Sequence, residues 1–191
     1  MPMLTTVSAA DYLAGERMAS TKSEWLDGYV EAMAGVTMQH ALIAANIVGE
    51  LRARLRDSAC SVFGSDLRIK AGSGLYTYPD ATVICEAARF DDAVRDTVVN
   101  PTALFEVLSS STEAFDRGEK FHRYRRIASL QTYAMVSQDL ARIECYHRTG
   151  DAWVLVEHDG LEASASLPAM GCELPLHEVY ARVDLPRSAS A

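Results

Sequence analysis

Two acidic residues occupy positions where an ionised side chain is expensive. Asp80 follows Tyr78-Pro79 and opens the apolar run Ala81-Thr82-Val83-Ile84, and Glu106 lies between Ala103-Leu104-Phe105 and Val107-Leu108. A carboxylate in such surroundings is costly unless a cation accompanies it. Both runs are short, rich in β-branched or aromatic residues and nearly continuously apolar, which predicts buried central strands over 78–85 and 102–109. The two-residue period of a strand groups Asp80 with Thr82 and Ile84, and Glu106 with Leu104 and Leu108. If the strands are neighbours, the two carboxylates converge. Hard oxygen ligands of that kind suit Mg2+ or Mn2+, which lower the pKa of a bound water and stabilise charge on phosphate oxygens. Each acid also has a plainer reading: an Asp after Pro is a common turn residue, and a Glu in a strand fits an edge facing solvent.

A basic run follows these acids. Arg117, Lys120, Arg123, Arg125 and Arg126 are five of the chain's 18 Lys and Arg residues. The net charge of −8 argues against a nucleic-acid partner at first, but phosphate affinity follows the local field rather than the sum over the chain. An ordinary solvated helix face is the alternative. Asp116-x-x-Glu119 reads as a capping box with Asp116 as the cap, so a helix is expected over 117–127. On it Lys120 and Tyr124 share a face at i, i+4.

Several elements must position these groups. Ser8, with Asp11 three residues on, predicts a helix over 8–16. Asp27-Gly28 is a turn signal before a strand over 29–33, where Glu31 shares a face with Tyr29 and Met33. Thr37 caps a long helix running to about Asp57, its inward stripe read as Ala41, Ala44, Val48, Leu51 and Leu55. His40 falls at N3 of that helix, where it could touch the acids or serve only as a surface or capping residue. Residues 60–70 alternate as one strand, with Phe63, Ser65, Leu67 and Ile69 opposite Asp66, Arg68 and Lys70. Gly72 and Gly74 mark a hairpin turn, and the charged segment 86–101 reads as a short helix or ordered loop. Strands are expected over 132–137, 142–147 and 152–157, and a last short helix from Pro175 or Leu176. This order favours a mixed sheet flanked by helices, in the α/β or α+β class.

At 191 residues, with 49% hydrophobic and 23% charged residues, the chain fits one domain with its own core, 185–191 forming a flexible tail. No basic start with a long apolar stretch marks a signal peptide, and no apolar run approaches the ~20 residues of a membrane span. A cytoplasmic protein is expected. The four cysteines, Cys60, Cys85, Cys145 and Cys172, lack close spacings, so neither zinc nor a disulfide framework is expected.

Pro79-Asp80 followed by Glu106-Val107-Leu108 resembles the PD-(D/E)XK nuclease signature. More specifically, the chain resembles the Uma-type restriction endonuclease family. The resemblance rests on Glu24-Trp25-Leu26-Asp27-Gly28 with Met33, on His40 with Asn46, and on Tyr78-Pro79-Asp80. It continues through Glu106-Val107-Leu108-Ser109-x-Ser111-Thr112, Asp116-Arg117-Gly118-Glu119-Lys120-x-x-x-Tyr124 and Leu130-Gln131-x-Tyr133. It implies a restriction-endonuclease-like fold and a Mg2+- or Mn2+-dependent endonuclease acting on DNA, with a homodimer possible. Asp80 and Glu106 would hold the metal with the Val107 carbonyl, and Arg117 and Arg123 would grip phosphates. Leu108 stands where the signature has Lys. Lys120 is the candidate replacement and Lys70 the second choice. A weakly active or inactive nucleic-acid-binding domain, or a dimeric scaffold of the same fold, is the alternative.

Overall fold

The structure, a computed structural model, describes residues 6–72 and 74–185; the tail read from the sequence lies almost wholly outside them. Helix α1 (Ala9–Glu16) starts at Ser8, whose hydroxyl accepts from the Asp11 amide. Strands β1 (Ser23–Leu26) and β2 (Tyr29–Ala32) form a hairpin whose turn residues, Asp27 and Gly28, both have positive φ. The long helix α2 (Met38–Arg54) is capped by Thr37. Next come β3 (Ser61–Gly64), β4 (Arg68–Ala71), β5 (Leu75–Thr77), β6 (Ala81–Ile84), β7 (Thr97–Val98) and β8 (Ala103–Val107). A continuous helical stretch then joins α3 (Glu113–Phe115), a π-helical segment (Asp116–Lys120) and α4 (Phe121–Tyr124). The chain closes with β9 (Thr132–Val136), β10 (Arg142–Thr149), β11 (Ala152–Asp159), β12 (Ser164–Leu167), β13 (Cys172–Pro175) and α5 (Leu176–Val179).

These strands form a six-stranded sheet, β11-β10-β9-β8-β6-β3, a five-stranded sheet, β2-β1-β5-β4-β7, and the small hairpin β12-β13. In the six-stranded sheet only β8 and β9 run parallel, so the fold is mixed α+β, as the sequence leads one to expect. One face of that sheet packs Val83, Phe105 and Val136 against Ile43, Ile47 and Leu51 of α2 and against Leu174 and Val179. Its other face packs Leu104, Tyr133 and Met135 against Ile69 and Leu75 of the five-stranded sheet and Tyr124 of α4. The chain passes from one sheet to the other through Tyr78-Pro79-Asp80, between β5 and β6. Among the described residues no helix is long and apolar enough to cross a membrane.

Four expectations are corrected. First, α2 ends at Arg54, and the first half of its inward stripe differs: Leu51 and Leu55 are buried as expected, but upstream Ile43 and Ile47 are fully buried, while Ala41 is exposed and Ala44 and Val48 lie only at the edge of the core. Larger side chains bury more apolar area and so decide the rotation of the helix. Second, 60–70 is not one strand. A turn at residues 65–67 sends β3 and β4 into different sheets, and Arg68 is buried, donating to Thr97 and Tyr78 and pairing with Asp96. Third, Asp116 does not cap a helix; it lies within the helical stretch, which starts three residues earlier, and its side chain is buried. Fourth, Cys60 and Cys85 are joined in a disulfide. They extend the β3–β6 register, in which Ser61 faces Ile84, and thus lie opposite each other across the sheet. Wide spacing in sequence says nothing about such cross-strand neighbours. Cys145 is free and buried, as expected.

Reduction of this bridge, which spans a sequence separation of 25, should lower unfolding stability by about 3 kcal/mol through release of loop-closure entropy. Denaturant unfolding of the oxidised, reduced and Cys60→Ala forms checks it; identical midpoints would show that the bridge contributes nothing.

Candidate active site

Strands β6 and β8 are antiparallel neighbours, with Ala81 facing Phe105. Asp80 immediately precedes β6 and stands near enough to Glu106 for its charge to push that carboxyl upward in pKa. Each Asp80 oxygen has its own partner. Oδ1 lies 2.9 Å from His40 Nε2, and Oδ2 accepts from the Val107 amide at 2.7 Å. His40 is delivered there by the Thr37 cap, whose hydroxyl accepts from the His40 amide and fixes the first turn of α2.

Glu106 is buried. Its Oε1 accepts from Tyr124 Oη at 2.8 Å and from Lys120 Nζ at 3.3 Å. Lys120 is itself only 6% exposed and also lies 3.3 Å from Glu24 Oε1 and 3.2 Å from Asp116 Oδ1. The Asp116 contact is electrostatic, since that oxygen receives no hydrogen bond. Thr77 donates to Glu24 Oε1. One ammonium thus serves three carboxylates drawn from β1, β8 and the π-helical segment.

This arrangement sets the protonation of its members. Burial raises the Glu106 carboxyl well above its ordinary range against the opposing pull of Lys120, and Asp116, Asp80 and Glu24 push it further up. Burial and the neighbouring Glu24 raise Asp116 as well, against Lys120. Lys120 loses hydration, but Glu106, Glu24 and Asp116 outweigh that loss and hold it charged well above its ordinary pKa. Tyr124 is held neutral, by burial first and by Glu106 second.

The remaining sequence candidates do not join the cluster. Lys70 donates to Asp91 at 2.6 Å and lies over the Tyr76 ring, away from Glu106, so the second choice for the missing lysine is not brought to the acids. Arg117 is paired with Glu113 and Glu144, and Arg123 with Asp27 and Glu119. Glu31 is exposed, facing Glu24 across the β1–β2 ladder. Two members of the cluster are inconspicuous in the sequence. Glu24 is marked there only by heading the Glu24-Trp25-Leu26-Asp27-Gly28 run on which the family resemblance rests. Asp116 reads there as a cap, although its i, i+4 relation to Lys120 is a usable signal.

Asp80, at the entrance to β6, and Glu106, in the neighbouring β8, offer hard oxygen donors. Among the described residues no group of three His, Cys, Asp or Glu converges as a preformed cage. That donor set fits Mg2+, which takes one or two carboxylates and fills its remaining positions with water and phosphate. It does not resemble the closed N/S set of a structural zinc.

A mixed sheet that carries an Asp at one strand's entrance and a Glu in its antiparallel neighbour, flanked by helices, defines the restriction-endonuclease-like class of α+β proteins. The chain belongs to the Uma2 family, described as "Putative restriction endonuclease", whose pattern matches residues 9–177. Two relatives come from Synechocystis sp. (strain ATCC 27184 / PCC 6803 / Kazusa). The uncharacterized protein sll1609 is 37% identical over 166 residues, covering 86% of this chain and 94% of its own length. The uncharacterized protein slr1290 is 31% identical over 176 residues, covering 91% of each. A crystal structure from Anabaena variabilis ATCC 29413, of a "putative nuclease belonging to DUF820", shares the fold with a TM-score of 0.73. It is 14% identical and covers 92% of this chain and 98% of that one.

Replacing Lys120 by Met leaves three acids facing one another without a cation and should destabilise the fold by about 3–5 kcal/mol near neutral pH. A carboxyl whose pKa is raised on folding stabilises fully below its unfolded value, and this contribution disappears as pH rises through the folded one. Lys120→Met should therefore regain stability as pH falls from about 8 to about 5. Thermal unfolding across that range is the check; a pH-independent deficit would show that the acids do not depend on Lys120.

Proposed function

We propose that the chain is a metal-dependent endonuclease that hydrolyses phosphodiester bonds in DNA. Family membership supports the nuclease assignment, and the observation that carries the site is Asp80 at the entrance to β6 and Glu106 in the neighbouring β8, beside a buried lysine. Asp80 and Glu106, with the Val107 carbonyl, would hold Mg2+ or Mn2+. When bound, such an ion supplies a water of lowered pKa and charge stabilisation on phosphate oxygens.

The chain's own residues account for the rest. His40 and the Val107 amide fix the two oxygens of Asp80, so its orientation is set before substrate arrives. Tyr124 does the same for Glu106. Lys120, kept protonated by its three acid neighbours, acts as a donor and electrostatic stabiliser of charge building on the phosphate rather than as the base that takes a proton from water. Helix-borne Lys120 in this reading replaces the signature lysine, whose place Leu108 fills as a core residue. Arg117 and Arg123, already shared with acids, contribute little free charge to a DNA backbone. That pairing favours one second reading, a nucleic-acid-binding domain of weak or no activity.

Cleavage of plasmid and single-stranded DNA with Mg2+ or Mn2+ tests the proposal. Asp80→Asn and Glu106→Gln should each slow cleavage about a hundredfold or more. Cleavage unaltered in both variants would remove the site assignment. Salt-dependent DNA binding by a chain that does not cleave would favour the second reading.

A further inference from the structure

Strand β11 is the outer strand of the six-stranded sheet and, at eight residues, as long as any strand in the protein. Its centre, Trp153-Val154-Leu155-Val156, carries neither charge nor proline. Val154, Leu155 and Val156 are 48%, 41% and 38% exposed, although they alternate between the two faces of the sheet. Exposed edges usually carry a charge, a proline or a bulge that blocks further pairing. The opposite edge, β3, has four residues and is tied by the disulfide, and the exposed edge β2 has four with Glu31 among them.

The free hydrogen-bonding groups of β11 follow from the ladder. The Ser137 amide donates to Arg142 O and the Arg148 amide to Gln131 O, so the even-numbered residues of β10 bond β9. The Gly160 amide donates to Ala141 O, so odd-numbered residues on the β10 side bond even-numbered ones on the β11 side. The amides and carbonyls of Trp153, Leu155 and Glu157 therefore point outward. Among the described residues nothing outside β11 is hydrogen-bonded to them.

We propose that β11 pairs antiparallel with β11 of a second copy about a two-fold axis through Leu155, joining the two six-stranded sheets edge to edge. In this register Leu155 faces its counterpart, Val154 faces Val156, and Trp153 faces Glu157. The outward backbone groups of 153, 155 and 157 then meet one another. Moving the axis to Val156 would set Leu155 against Glu157 and Val154 against His158, so the apolar side chains select the first register. Its symmetry favours a second copy over an unrelated peptide, because one set of residues supplies both sides. Charge agrees as well. Glu157 arrives opposite Trp153, whose ring lies 4.6 Å beneath the Arg148 guanidinium on the same face.

The pairing is independent of nuclease activity and is read from mass in solution. Sedimentation equilibrium in the micromolar range should give twice the chain mass for the wild type. Leu155→Lys, which sets two ammonium groups against each other at the axis, should halve it. Leu161→Lys, a change at another exposed leucine outside the strand, should leave the dimer intact. If Leu155→Lys fails to fold by circular dichroism, Leu155→Pro decides, since it removes an outward amide that makes no bond to β10. A monomeric wild type, or a dimer that survives substitution at Leu155, overturns the proposal.

Discussion

The ammonium of Lys120 is the charge on which the arrangement around it depends. Without it Glu24, Glu106 and Asp116 would face one another in a dry pocket, a configuration that costs stability as long as the acids are ionised. With it, two sheets and a helix are tied at one point, because the three acids belong to three elements. The π-helical segment fits this requirement. It is the part of the helical stretch that presents both Asp116 and Lys120 inward, and such widened turns recur at functional sites. One ammonium does not balance three acids, and Asp80 stands close by. That surplus is the electrostatic reason a divalent cation would be welcome between Asp80 and Glu106.

Asp80 occupies a different kind of place. It is carried on the short connection where the chain leaves one sheet for the other, not within the hydrogen-bonded part of a strand. Pro79 suits that connection, since it has no amide to contribute to a ladder. The Val107 amide binds Asp80 instead, and His40 approaches from the first turn of α2. Both carboxylate oxygens are thus aimed by groups of fixed geometry.

Much of this is legible in the local pattern of residues. The apolar runs around Asp80 and Glu106 announce buried strands, and Glu106 lies within one of them while Asp80 falls just before the other. The Ser8 and Thr37 caps are equally plain, because a side chain bonding its own helix start is a short-range event. What is not legible depends on contacts between distant segments. Cys60 and Cys85 pair because β3 and β6 are neighbours, which no spacing rule contains. Glu24 shows its importance only when the sheet holding β1 is set against the sheet holding β8. Asp116 misleads because the same Asp-x-x-Glu pattern serves a helix start and a helix interior. The break at residues 65–67 is hidden by an alternation that continues through a turn.

The wide separation in sequence of Lys120's partners bears on the order in which the protein becomes complete. Asp116 accompanies the lysine on the same helix and Glu106 meets it where that helix packs on β8, but Glu24 meets it only when the two sheets have docked. Contacts of such long range form late, since the chain entropy they cost must be offset by other contacts first. A chain whose two sheets have not docked therefore leaves Glu24 apart from the lysine. The complete cluster exists only where both sheets are in contact, so its presence marks the assembled molecule.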